Sequence, residues 1–159
     1  MERPNEEHNL KRQNSEQKRG KQAWEDILAI KEIDKGNQDK KLEKEYRSLA
    51  RGLNAMIQIN GLGPTLGFFK AKGKGDKKKS HYLLLLHLTD WMQNPQHFKA
   101  SNSDVMRQGY DGLLRWVVDP DTSSDDYRRA TAECLAFGVW LRRFAEAELK
   151  EPEAGENIE

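Results

Sequence analysis

Six lysines, Lys70, Lys72, Lys74, Lys77, Lys78 and Lys79, stand within ten residues, with only Asp76 as an acid among them. Gly73 and Gly75 space them, so residues 70–80 read as a flexible basic loop. Its charge density and mobility suit it to clamp a phosphate backbone without reading the sequence. No aromatic residue is interleaved with the lysines, and base stacking within the loop itself is not expected. A second set of cations has helical spacing. At about 100° per residue, Lys40, Lys44, Arg47 and Arg51 fall within roughly 60° of one another, while Glu43 and Glu45 project to the flanks. This stripe lies almost opposite the apolar side of its helix and is a candidate polyanion contact. A third set pairs Arg128 with Arg142 and Arg129 with Arg143. Fourteen residues separate the members of each pair, which returns them to one azimuth roughly 21 Å apart along a helix. Pairing with Glu146 or Asp125 competes for these arginines, and Arg142 lies nearer the apolar edge. Arg129 and Arg143 are therefore the candidate polyanion contacts of this set.

Covalent and metal chemistry is poorly supplied. The histidines are His8, His81, His87 and His97. His87 and Asp90 are one turn apart and could share a face, but a metal needs three or four ligands and no third accompanies them. The lone Cys134 sits on the apolar face of a helix and reads as a small core residue. No Ser/His/Asp or Cys/His set assembles. The glycines of NGLGPTLG (60–67) lack the Gly-Lys-Ser/Thr ending and the preceding strand of a phosphate loop, and read instead as places of close helix approach. No catalytic, cofactor-binding or metal-binding residues are expected.

The elements that must position these cations are helices. The longest signal runs from Ser124 to about Leu149, with Ser123 or Ser124 to cap it and Asp125 and Asp126 in its first turn. Tyr127, Ala130, Thr131, Cys134, Leu135, Gly138 and Leu141 lie on one face, widened by Phe137, Trp140 and Phe144. So wide an apolar arc predicts a central helix. Before it come helices over about 21–34, about 38–59, a short one after Pro64, about 81–92 and about 104–118. YLLLL (82–86) could be a strand, but no second strand candidate exists to pair with it. The expected fold is an all-α compact bundle of five to six helices. Of 159 residues, 36% are hydrophobic and 33% charged, and the mean hydropathy is −0.95. That polarity predicts disordered ends, residues 1–20 and an acidic tail at 150–159, around a folded domain at 21–149. The formal net charge of +1 thus hides a basic patch and an acidic tail. No run reaches membrane-spanning length and the N-terminus is charged rather than apolar, so a cytoplasmic protein is expected.

Three segments, EYRSLARGLNAMIQINGLGPTLGFFKAKG (45–73), HYLLLLHLTDWM (81–92) and YRRATAECLAFGVWLRRFAEAEL (127–149), together resemble the small subunit of type III-B CRISPR effector complexes, the Cmr small-subunit family. The NGLG-x-T-L-x-F run and the closing A-x-x-x-W-L-x-R-F-A-E-A are the specific parts. The resemblance covers roughly residues 21–149. It implies a non-catalytic all-α protein that stacks in several copies along guide-carrying backbone subunits and lines the channel where target RNA pairs with guide RNA. It also implies that cleavage belongs to those backbone subunits and nucleotide cyclisation to the large subunit. The motif itself supplies no contact residues, because Trp140, Leu141 and Phe144 read as core. Two other readings stand beside it: the small subunit of a type III-A complex, and a free-standing helical nucleic-acid-binding protein.

Overall fold

Ser123 ends an extended stretch and its hydroxyl accepts the Asp126 amide at 3.1 Å. With Asp125 and Asp126 in the first turn, that cap opens a helix unbroken from Ser124 to Glu148, as the sequence predicts. The computed structural model describes residues 14–156. Its helices are α1 (Ser15–Ile33), α2 (Lys41–Asn60), α3 (Leu62–Gly73), α4 (Ser80–Gln93), a 3₁₀ turn (Ser103–Arg107), α5 (Gly112–Val117) and α6 (Ser124–Glu148). There is no strand among the described residues. The fold is all-α, and YLLLL lies in the first half of α4, buried except for the half-buried Leu86. No described helix is long and apolar enough to cross a membrane.

Helix α6 lies between α1 and α2. Arg19 meets Glu133, Trp24 meets Phe144 and Lys31 meets Glu148, so α1 runs parallel to α6. Lys150 meets Glu43 and Leu135 meets Asn54, so α2 runs antiparallel to it. Gly138 permits that second contact, because a methyl there would overlap the Asn54 side chain. Ala130, Cys134, Phe137, Gly138, Leu141 and Ala145 face inward. Burial pushes the Cys134 thiol well above its usual range, which leaves it an inert core atom. Trp140 and Phe144 are only partly buried, at the edge of the core, with Trp140 stacked over Gly20. Helix α4 completes the core from the other side, its Trp91 stacking on Phe137 with ring centroids 4.8 Å apart.

Four sequence expectations are corrected. The first helix begins at Ser15, not near Lys21, because Asn14 and Gln17 form a reciprocal capping box that adds a turn to the segment expected to be disordered. The expectation for residues 1–13 lies outside the described residues, as does that for 157–159. The expected loop at 70–80 shrinks to 74–79: α3 continues to Gly73, where the absence of a side chain lets its end press against the Tyr82 amide. The single helix expected at 104–118 is two pieces, since Gly109 has φ 134° and the chain turns there. The fourth correction concerns the acidic tail, which as far as Glu156 folds back on α2.

Candidate nucleic-acid interface

The turn between α1 and α2 sets the first wall of the site. Asp34 is buried there; its carboxylate accepts from the Asn37 side chain at 2.6 Å and from the Glu43 amide at 3.0 Å. It thereby caps α2 from outside, where Lys40, in a left-handed conformation, supplies no side-chain cap. The opposite wall is the 74–79 loop. Lys74 is left-handed with φ 51° and closes α3 by donating its amide to the Lys70 carbonyl. Between these walls is a cleft of about 420 Å³ lined by Lys41, Lys72, Lys74, Lys78 and Lys79.

Helix α4 starts at the floor of this cleft, at Ser80 and His81, with no side chain capping it. Its first-turn amides add to the positive potential of the lysines. Two acids on the walls, Asp34 and Glu45, offset part of that potential and leave the five lysines in excess by three charges. Asp34 is engaged as described, and Glu45 lies 3.8 Å from Lys41 and takes up charge at the rim. Burial, then Lys72 and Lys79, lower the pKa of His81, so it adds no charge at neutral pH. The arrangement can neutralise phosphate groups.

The predicted cations separate into two groups. Lys72, Lys74, Lys78 and Lys79 converge on the cleft, and Lys77 is exposed on the same loop. Lys70 does not join them: it is helical and pairs at 2.6 Å with buried Asp111, which also holds Arg115 at 2.9 Å. The α2 stripe, a candidate polyanion contact by its spacing, is largely covered. Lys40 donates to the Asp34 and Lys35 carbonyls at the end of α1. Lys44 is 7% exposed and bonds Glu156 at 2.8 Å. Arg47 is largely covered, 3.7 Å from Glu151, with its Nε buried and unpartnered. Arg51 alone of the stripe is exposed without an ion pair among the described residues. Arg129 is held by Asp126 at 2.8 Å and by the Lys99 carbonyl, over the Phe98 ring. Arg143 is exposed.

Sequence reasoning missed Lys41. Its azimuth on α2 separates it from the stripe, and only the folded α1–α2 turn brings it opposite the loop. His87 is not a ligand beside Asp90: it is buried, and its Nδ1 shares a 2.7 Å hydrogen bond with the Tyr46 hydroxyl, while Asp90 is exposed. Among the described residues no three His, Cys, Asp or Glu side chains form a metal-binding group.

The tail contact makes a prediction of its own. Removing residues 150–159 exposes Lys44 and Arg47 together. Binding of the isolated chain to polyuridine at low salt is expected to strengthen about two- to fivefold, because two more phosphates can be neutralised. Unchanged affinity in a titration would show that this face does not meet polyanions.

A family model described as CRISPR-associated protein (Cas_Cmr5) matches residues 15–148. The match begins where α1 begins and ends where α6 ends. The chain belongs to this family, in agreement with the resemblance carried by the 45–73, 81–92 and 127–149 segments. Membership makes it a CRISPR-associated subunit of Cmr complexes and implies association with the other subunits of such a complex.

Proposed function

We propose that this protein is the non-catalytic, RNA-binding small subunit of a type III-B effector complex in antiviral defence. In this reading, several copies stack along the guide-carrying RAMP-type backbone subunits beside the large subunit in the cytoplasm. The observation that carries the RNA-binding part is the convergence of Lys41, Lys72, Lys74, Lys78 and Lys79 on one cleft. Such a surface positions a polyphosphate backbone while guide–target pairing supplies sequence discrimination. Each copy binds weakly, and repetition along the assembly supplies avidity. A non-catalytic role is supported by the placement of His87 and Cys134, both enclosed by core side chains away from the cleft.

The test is a complex assembled with Lys72, Lys74, Lys78 and Lys79 all changed to Ala. Target-RNA affinity at moderate salt is expected to fall at least tenfold. The slope of log K against log salt should shrink by about 0.7–0.9 for each phosphate that is no longer neutralised. The protein should keep its helical circular dichroism, since the four side chains are in the loop or exposed at the end of α3. An unaltered salt slope would remove the cleft from RNA binding.

A further inference from the structure

The lysine cleft does not end at α2. Through Glu45 and His81 it continues into a second groove of about 230 Å³, whose other walls are mostly apolar: Leu49, Gly52 and Met56 of α2 and Phe68 of α3, with Ser48 the one polar side chain among them. Phe68 is 40% exposed although it sits among buried neighbours. Its ring meets His81 edge-on, with centroids 5.5 Å apart, and lies 6.0 Å from the Lys72 ammonium. Gly52 keeps the α2 wall low, since nothing lies within 4 Å of the space a methyl would take. A phosphate-neutralising cleft therefore opens directly onto an exposed aromatic face. No sequence spacing shows this, because Phe68 and His81 are brought to the loop only by the packing of α3 on α4.

We infer that the groove between α2 and α3 receives an unpaired nucleobase whose flanking phosphates lie on the lysine cleft, so that this surface takes single-stranded rather than fully paired RNA. The inference rests on the phosphate-binding reading of the cleft. The groove is smaller than the roughly 300–1,000 Å³ typical of pockets for drug-sized ligands, which suits a single ring system. An aromatic face beside a basic groove is the arrangement by which proteins hold single strands without choosing among bases. An acidic peptide is the competing occupant. It would need one or two carboxylates, whereas a cleft whose five lysines outnumber its two acids by three suits a backbone that carries a charge at every residue.

The experiment compares binding of the full chain, by fluorescence anisotropy, to oligouridine and to an abasic oligomer of equal length and charge. The unaltered chain should prefer oligouridine about tenfold, the contribution of one stacked base. Phe68→Ala should erase that preference and leave abasic binding unchanged, and Phe68→Trp should restore it. The Lys72/Lys74/Lys78/Lys79→Ala variant should weaken binding of both oligomers together. A preference that survives Phe68→Ala, or no preference at all, overturns the base site while the lysine variant still judges the phosphate reading separately. Absence of binding to either oligomer at low salt overturns both. A glutamate- and leucine-rich peptide that binds in a Phe68-dependent way, where oligouridine does not, assigns the groove to a protein partner and overturns the inference.

Discussion

Gly112→Ala is expected to destabilise the protein by on the order of 3 kcal/mol or more. The added methyl would overlap the carbonyl oxygen of Met106 and crowd its carbonyl carbon. Those are backbone atoms of the 3₁₀ turn, and Met106 itself is fully buried, so no flexible side chain can move aside. Relief would have to come from shifting α5, which is tied down on several sides. Leu113 donates its amide to the Thr89 hydroxyl at 3.3 Å. Asp111 is held by Lys70 and Arg115. Trp116 is fully buried and donates its indole N–H to Asn102 at 2.9 Å. Gly67→Ala serves as the control. Nothing lies within 4 Å of a methyl there, and replacing a helical glycine by alanine gains about 0.5–1 kcal/mol. Urea denaturation should therefore move the two midpoints in opposite directions. A Gly112→Ala midpoint equal to that of the unaltered protein would show that α5 slides freely over the 3₁₀ turn.

This contact also marks where the sequence stops being legible. Periodicity suffices for α2, α4 and α6, because their apolar spacing extends over many turns and the core accepts it as written. The segment at 104–118 has the same apolar spacing through Val105, Met106, Tyr110, Leu113, Leu114 and Val117, yet it breaks. Gly109 and Gly112 allow a tight reversal that serves tertiary packing, and packing here overrides the helical pattern. The candidate site divides in a similar way. Charge density alone finds Lys72, Lys74, Lys78 and Lys79, since a short glycine-spaced run stays on the surface whatever the fold. It misassigns Lys44 and Arg47, because an azimuth opposite the apolar stripe means solvent only when no other element lies there. Here α6 and the tail beyond it cover that side. Lys70 fails for a related reason: its partner Asp111 is forty-one residues away in the chain, and no local pattern announces such a pair.

Asp26→Asn is expected to make the protein more stable, and by an amount that grows with pH. Asp26 is buried on α1. One carboxyl oxygen accepts from the Gln22 amide at 2.9 Å; the other is buried with no partner. Burial pushes the pKa up to about 8, with the Asp90 and Glu25 carboxylates adding to the rise and the Gln22 bond opposing it. In the unfolded chain the group titrates near 3.9. The folded state thus holds the proton more tightly. Its contribution to stability is full below about pH 4 and is lost as pH rises through about 8. A shift of that size corresponds to roughly 6 kcal/mol as an upper bound, against the 5–15 kcal/mol total typical of a domain. Asparagine keeps an acceptor for Gln22 and cannot ionise. Near pH 4 the two proteins should unfold at similar denaturant concentrations, and by pH 9 the variant should be ahead by about 2–4 kcal/mol. His87, whose pKa burial lowers to about 4, costs stability as pH falls below about 6.5. That loss is common to both proteins and cancels in the difference. Parallel stability profiles from pH 4 to 9 would show that the Asp26 carboxylate reaches water or a counter-charge, and that this part of α1 is packed more loosely than its burial implies.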